Sequence, residues 1–172
     1  MSAAPRDLRT GVLETTWGKI RIRASARGVE SCGLPSTRGR KLPPFRVKGE
    51  RLPAGAPAVL RRALAYARAV VEGRRPGRCP PIDPAVFDRA APFRREAWRV
   101  LQGIPRGTVR TYGEVARRAG RPGGARAAGG ACGANPVPLF IPCHRVVAAS
   151  GPGGFSSGPA WKQRLLEAEG WS

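Results

Sequence analysis

Ile141-Pro142-Cys143-His144-Arg145-Val146-Val147 sets the one histidine of this chain directly beside a cysteine, with a proline ahead of the pair and apolar residues on both sides. A thiol is a strong nucleophile only as thiolate, and a free cysteine has a pKa of roughly 8.5. A neighbouring imidazole is a common device for taking that proton. Alone, such a pair reads rather as a buried strand whose cysteine packs as a small hydrophobe. What lies on either side of it decides.

Upstream, Thr111-Tyr112-Gly113-Glu114 leads into Ala125-Arg126-Ala127-Ala128-Gly129-Gly130 and then Asn135-Pro136-Val137-Pro138. Downstream come Gly154-Phe155-Ser156-Ser157-Gly158 and Leu165-Leu166-Glu167-Ala168-Glu169-Gly170. This order and spacing closely resemble the O6-alkylguanine-DNA alkyltransferases, single-turnover repair proteins that move an alkyl group from guanine onto their own cysteine. The resemblance covers about the C-terminal half, and the N-terminal half matches only in general layout. It implies an α/β N-terminal domain, RNase H-like, with a small antiparallel sheet plus a helix. A mostly α winged-helix or helix-turn-helix domain follows. The expected division is 1–84, linker included, and 85–172.

The composition is compatible with that. A length of 172 residues allows one medium domain or two small ones. A formal net charge of +20 favours a polyanionic partner such as nucleic acid. A GC-rich coding sequence also inflates Arg, Ala, Gly and Pro, and the basic residues are spread along the whole chain. No apolar run approaches the roughly 20 residues that span a bilayer. The stretch Met1 to Asp7 lacks the apolar core of a signal peptide, so the expected location is cytoplasmic. Cys32, Cys79, Cys132 and Cys143 have no paired metal-ligand spacing, and one histidine cannot build a conventional His/Cys zinc cluster. No metal and no cofactor are expected. Asn135, Gln102, Gln163 and Met1 are the whole Asn, Gln and Met content, a depletion seen in hyperthermophile proteins and in GC-rich genomes alike. A thermophilic origin would allow a Cys32–Cys79 disulfide.

Periodicity places the elements. Gly11 to Thr16 and Lys19 to Ala24 read as paired strands around a Trp17-Gly18 turn, because Ile20, Ile22 and Ala24 alternate with Arg21 and Arg23. Ser31 to Leu34 is a candidate third strand. Leu60, Ala63, Leu64, Ala67, Val70 and Val71 have helical spacing over 58–71, with Pro57 at its start and Gly73 at its stop. Gly73 to Pro84 reads as a linker. Pro92 to Gln102 is a helix with Phe93, Ala97, Trp98, Val100 and Leu101 on one face. Thr111 and Glu114 form a capping box that starts a short helix at Tyr112. Gly120 ends it, and a second helix runs from about Gly124 to Ala134 after a tight turn. The pair suggests a helix-turn-helix whose second member is the recognition helix. Its Ala and Gly residues are poor helix formers but suit close approach to a partner. A last helix spans Pro159 to Glu169, with Trp161, Leu165 and Leu166 inward.

The chemistry implied by the resemblance is displacement at a saturated carbon: the Cys143 sulfur attacks and guanine O6 leaves. The thiol proton passes through a water to His144, which Glu169 orients, the nucleophile–base–orienter logic of other activated nucleophiles. Adjacent strand residues point to opposite faces, so Cys143 and His144 should not touch unless the backbone turns. Glu167, two residues away, should face elsewhere. Asn135 is expected to tie the helix-turn-helix to the active-site loop, although a helix C-cap would also use Asn.

A base inside the duplex must be flipped into a pocket. The resemblance assigns Tyr112 to crowding the target phosphate and bonding the flipped base, and Arg126 to filling the vacated stack. Arg94 and Arg121 are further candidate DNA contacts. Backbone near Cys143, Val146 and Ser156 should read the guanine edge. The implied partner is double-stranded DNA bearing O6-alkylguanine, with O4-alkylthymine as a second lesion, and the protein acts as a monomer. The chain departs from the pattern in a shorter loop over 150–155, Ser157 in place of a common glycine, Phe155 in place of a tyrosine, and no basic residue at Gly133 or Ala134. Those departures bear on pocket size and DNA affinity. Two competing functions are a lesion-binding relative without the acceptor cysteine, which Cys143 argues against, and a Cys-His hydrolase, which would leave the helix-turn-helix unexplained.

Overall fold

A computed structural model describes residues 7–171. Met1 to Arg6, most of the stretch read for a leader, and Ser172 lie outside the described residues. Four strands form an antiparallel sheet: β1 (Arg9–Thr15), β2 (Gly18–Ala24), β3 (Val29–Gly33) and β4 (Val47–Arg51), in the order β3-β2-β1-β4. Alternation sets the register, as expected. Leu13 pairs with Ile20 and Gly11 with Ile22, which turns Leu13, Ile20, Ile22 and Ala24 to one buried face. Lys19, Arg21 and Arg23 stay in solvent. The turn falls at Thr16-Trp17 and Gly18 opens β2 at φ 131°, one residue earlier than the sequence suggested. β4 was not foreseen: Val-Lys-Gly-Glu-Arg has no apolar alternation, and as an edge strand it buries little.

Helix α1 (Ala58–Val71) packs across the sheet, its Leu60 and Leu64 over Gly11, where a Cβ would stand 2.7 Å from Leu64 Cδ1. The expected linker ends in a short helix, α2 (Pro84–Asp88), N-capped by Asp83, which accepts from the Ala85 amide. One turn is too short for a 3.6-residue period to reveal. Next come α3 (Pro92–Gln102), β5 (Arg110–Thr111), α4 (Tyr112–Arg118), α5 (Ala125–Gly133), β6 (Val146–Val147) and α6 (Pro159–Ala168). The capping box forms as expected: the Thr111 hydroxyl accepts from the Glu114 amide, and the Glu114 carboxylate accepts from the Thr111 amide. β5 and β6 pair in parallel, which anchors the start of α4 to the strand that leaves Arg145.

Buried side chains from both halves form one continuous apolar cluster. Trp161 of α6 meets Trp17 edge-on at 4.9 Å and Phe45 at 5.5 Å. Tyr66 of α1 stacks on Phe140 at 5.4 Å, so α1 backs the segment that carries the Cys-His pair. All four cysteines are free: Cys32 lies buried in β3, and Cys79 donates weakly to the Phe140 carbonyl. Among the described residues no helix is long and apolar enough to cross a membrane.

Candidate active site

The backbone ahead of the thiol is held by constraint. Leu139, almost fully buried, has φ 76°, a left-handed conformation that a non-glycine residue keeps only when its surroundings enforce it. The enforcement is local. The Phe140 and Ile141 amides both donate to the Val137 carbonyl. The Asn135 carboxamide clamps the ends of this turn: its Oδ1 accepts from Val137 N at 3.0 Å, and its Nδ2 donates to the Ile141 carbonyl at 2.8 Å. The Cys143 amide donates to that same carbonyl at 2.8 Å. Asn135, directly after α5, thereby joins the helix pair to the segment that carries the thiol.

Cys143–Arg145 is a 3-10 turn, closed by the Arg145 amide on the Pro142 carbonyl. This corrects the alternative of a buried strand through the Cys-His pair. Pro142 has no amide hydrogen to offer a ladder, and strand pairing begins only at Val146. The turn sends the two side chains apart, and no hydrogen bond joins the thiol to the imidazole.

Behind the turn, His144 is completely buried, and its Nε2 lies 3.0 Å from Glu169 Oε1. Arg145 forks onto the same carboxylate, Nε to Oε2 at 2.9 Å and a terminal nitrogen to Oε1 at 2.8 Å, and also donates to the Ile104 carbonyl. The Gly107 amide adds a fourth donor. Glu169 sits at the C-cap of α6 with its side chain 3% exposed. Burial would raise its pKa, but the hydrogen bonds from His144 and Arg145 prevail and hold it at about 2. An ionised Glu169 requires the proton on His144 Nε2. Nδ1 makes no hydrogen bond within the described residues, so it is the ring atom free to accept a proton. Burial pushes the imidazole pKa down, and the nearby Glu169 only partly opposes this. The imidazole therefore rests neutral. Glu167 turns away and accepts from Gln163 instead.

In front, Cys143 is 4% exposed and lines a cavity of about 320 Å³ with Tyr112, Gly129, Cys132, Gly133, Gly154, Phe155, Ser156 and Arg38. Burial pushes the thiol pKa up, while an Asn135 hydrogen bond and the Lys162 charge pull it back. Tyr112, first residue of α4, donates its hydroxyl to the Gly154 carbonyl at 3.4 Å. Ser156 is on the exposed rim. Val146 is fully buried and is not a cavity wall; its carbonyl accepts from Lys162 Nζ. Arg126 on α5 and Arg94 on α3 are exposed. Arg121 is exposed too, with its guanidinium 5.6 Å from the Phe93 ring centre.

Lys162 was not anticipated. It is 1% exposed, donates to Val146 and Gly154 carbonyls, and stands 3.4 Å from the Tyr112 hydroxyl. No carboxylate pairs with it among the described residues, and burial lowers its pKa. A lysine next to Trp161 on a helix reads as solvent-facing, and only its reach to two carbonyls across the site gives it away. Among the described residues no group of three or more His, Cys, Asp or Glu side chains could hold a metal.

Three comparisons bear on this geometry. The family described as 6-O-methylguanine DNA methyltransferase, DNA binding domain, matches residues 92–171. A methylated-DNA–protein-cysteine methyltransferase of Salmonella typhimurium is 48% identical over 81 residues, 46% of this chain and 47% of that protein. One from Mycolicibacterium paratuberculosis is 50% identical over 82 residues, 47% of this chain and 50% of that protein. The chain thus aligns with about half the length of the curated relatives it matches. A crystal structure of Mycobacterium tuberculosis OGT in complex with DNA matches with a TM-score of 0.71 at 28% identity, covering 92% of this chain and 90% of that one.

Proposed function

We propose that the chain, whose residues 92–171 match the family described as 6-O-methylguanine DNA methyltransferase, DNA binding domain, repairs DNA by moving an alkyl group from guanine O6 to Cys143. The observation that carries this reading is the arrangement around the Cys-His turn. A thiol faces a cavity on one side, and on the other a neutral imidazole is backed by a carboxylate held ionised at about 2.

The reaction follows from those groups. Cys143 loses its proton through a bridging water to His144 Nδ1, and the imidazolium is stabilised by Glu169 across the 3.0 Å contact. The thiolate attacks the alkyl carbon in line with the C–O6 bond. The S–C bond forms, the C–O6 bond breaks, and guanine leaves with the electron pair and takes up a proton, so the thiol's proton ends on the base. The thioether cannot be displaced by water under mild conditions, which makes the protein a single-turnover reagent. Burial favours the uncharged thiol and the uncharged imidazole, so at rest the proton stays on Cys143.

Base delivery rests on α4 and α5. Tyr112 at the cavity wall bonds the extruded base, Arg126 fills the gap it leaves, and Arg94 and Arg121 meet the backbone. The small residues of α5 permit close approach to a groove. We read the two halves as domains divided near Pro84, the first RNase H-like and the second a winged helix with β5 and β6 beside the helix pair. The protein acts as a cytoplasmic monomer, with O6-alkylguanine as its main lesion and O4-alkylthymine as a second.

The test is intact mass after incubation with a duplex containing one O6-methylguanine. One methyl group per molecule, located on Cys143 by peptide mapping, is expected, with none in Cys143→Ser, which still binds the duplex. Repeated turnover, or a methyl group on another residue, would overturn the reading.

A further inference from the structure

Every residue around the cavity that holds the Cys143 thiol falls within 112–156 except Arg38, from the loop after β3. That loop is fastened to the far wall of the cavity. The Thr37 amide and hydroxyl both donate to the Ser157 carbonyl, at 2.8 and 3.0 Å. Trp161 Nε1 donates to the Pro35 carbonyl at 2.8 Å, and Arg38 itself reaches the Phe155 carbonyl at 3.2 Å. Gly158 lies so close beneath that a Cβ there would stand 2.2 Å from Thr37 Oγ1. From behind, Arg40 braces the loop through the Trp17 and Ser36 carbonyls. The loop's position is therefore set by the same residues that set the wall at 154–158.

Arg38 is exposed at the mouth of the cavity, and no carboxylate among the described residues pairs with it. One of its guanidinium nitrogens holds the Phe155 carbonyl, and the remaining N–H groups are available to a ligand. Apart from Arg38, the cavity is lined by glycines, two thiols, a tyrosine and a phenylalanine, with Ser156 at its rim, groups suited to a neutral base. A nucleotide whose base occupies it keeps its phosphodiester outside, at the mouth. A planar guanidinium fork is the side chain best matched to a phosphate. The half that contributes Arg38 is also the more basic one: residues 1–84 hold 18 Lys and Arg against six Asp and Glu, +12 of the chain's +20.

We infer that Arg38 binds the backbone phosphate of the nucleotide taken into the cavity, so that the sheet half completes the DNA site. This rests on the function proposed above and names a contact it does not require. The test uses the full chain with Cys143→Ser as background. Binding to an undamaged duplex and to one with a single O6-methylguanine is measured across a salt series, for Arg38 and for Arg38→Gln and Arg38→Lys. With Arg38→Gln the slope of log K against log salt should fall by about one unit on the lesion duplex and by less on the undamaged one. Affinity for the lesion duplex should fall roughly fivefold to tenfold near 0.1 M salt. Arg38→Lys should keep the slope. In the otherwise native chain, Arg38→Gln should slow transfer from the duplex at least fivefold more than transfer from free O6-methylguanine. An unchanged slope on the lesion duplex, or equal slowing on both substrates, overturns the phosphate contact. A native chain that takes up no alkyl group at all overturns the proposed function instead, and the salt slopes remain readable either way.

Discussion

In front of Cys143 the chain presents Gly129, Gly133, Gly154 and Ser156 around an open cavity; behind it, His144, Arg145 and Glu169 are packed into a knot with almost every polar atom bonded. The two regions treat charge in opposite ways. At the front, burial works against ionisation, and the thiol is pushed up. At the back, three donors besides His144 fix a carboxylate as an anion, down to about 2. Under the function proposed above, a reagent that stays inert until its substrate arrives gains from that difference. The negative charge beside the imidazole is permanent, while the thiol rests uncharged. Preorganised charge of this sort costs no rearrangement at the moment of reaction.

The largest effect should follow from removing the permanent charge. Glu169→Gln keeps the shape but leaves the Arg145 guanidinium buried without its anion, a change that costs about 3–5 kcal/mol when a buried pair is broken. It also removes the group that steadies protonated His144, and general-base assistance is worth roughly 10²–10⁴ in rate. Single-turnover transfer at pH 7 should slow by at least a hundredfold and recover partly toward pH 9.5, as solvent takes over the proton. Stability supplies a separate readout. The folded pKa of Glu169, about 2, lies below its unfolded value of roughly 4.3, so its stabilisation is full above that value and is lost as pH falls toward 2. An acid titration followed by circular dichroism should show that loss in the native chain and little of it in Glu169→Gln. A native rate at pH 7 in the variant would detach the knot from the chemistry.

The same contrast explains what could be read from the sequence. The sheet was legible because Ile20, Ile22 and Ala24 alternate with charged neighbours over a full strand. The α4 start was legible because Thr111 and Glu114 carry a capping signal within four residues. β4 and α2 were not, since an edge strand with a glycine and a single helical turn leave no period. At the site, Cys143, His144, Glu169, Asn135 and Tyr112 could be named only because their spacing resembles a family. The physics that joins them is not in the spacing. Nothing local says that Arg145 turns inward to fork onto Glu169, that Pro142 converts a strand into a 3-10 turn, or that Lys162 folds back from an amphipathic helix. Arg38 carries no signal at all; a cavity wall assembled from distant segments appears only when the chain is folded.

A middle-sized effect is expected from Lys162, a buried cation held against the Tyr112 and Gly154 wall of the cavity. Burial opposes its charge, while the carbonyls of Val146 and Gly154 and the nearby Cys132 and Cys143 favour it. Lys162→Met preserves the buried stem and removes the ammonium. The Cys143 thiol should rise further, and one pKa unit is a tenfold loss of thiolate. Transfer at pH 7 should slow by about tenfold, with the rate–pH profile displaced upward and the affinity of a Cys143→Ser version for lesion duplex changed by no more than about threefold. An unshifted profile would return Lys162 to a purely structural tie between Val146 and Gly154.

The smallest effect, and the one that most sharpens the division, concerns Arg126. It stands on α5, exposed, with no hydrogen bond or ion pair among the described residues, and the surrounding helix is nearly all alanine and glycine. If it fills the stack vacated by a flipped base, its contribution belongs to neither the thiol nor the knot. Extruding a paired base costs a few kcal/mol, and a side chain in the gap recovers part of that. Arg126→Ala should therefore slow repair in a duplex several-fold, do less when the lesion sits opposite a mismatch, and leave transfer from the free base closest to native. Its effect on the salt slope should be at most about one unit, since it is one charge among 31 basic residues. The measurement is a set of single-turnover rates on the three substrates. Graded slowing in that order places Arg126 in base extrusion, whereas equal slowing on all three would mean that the substitution has disturbed α5 and, through Asn135, the turn that carries the thiol.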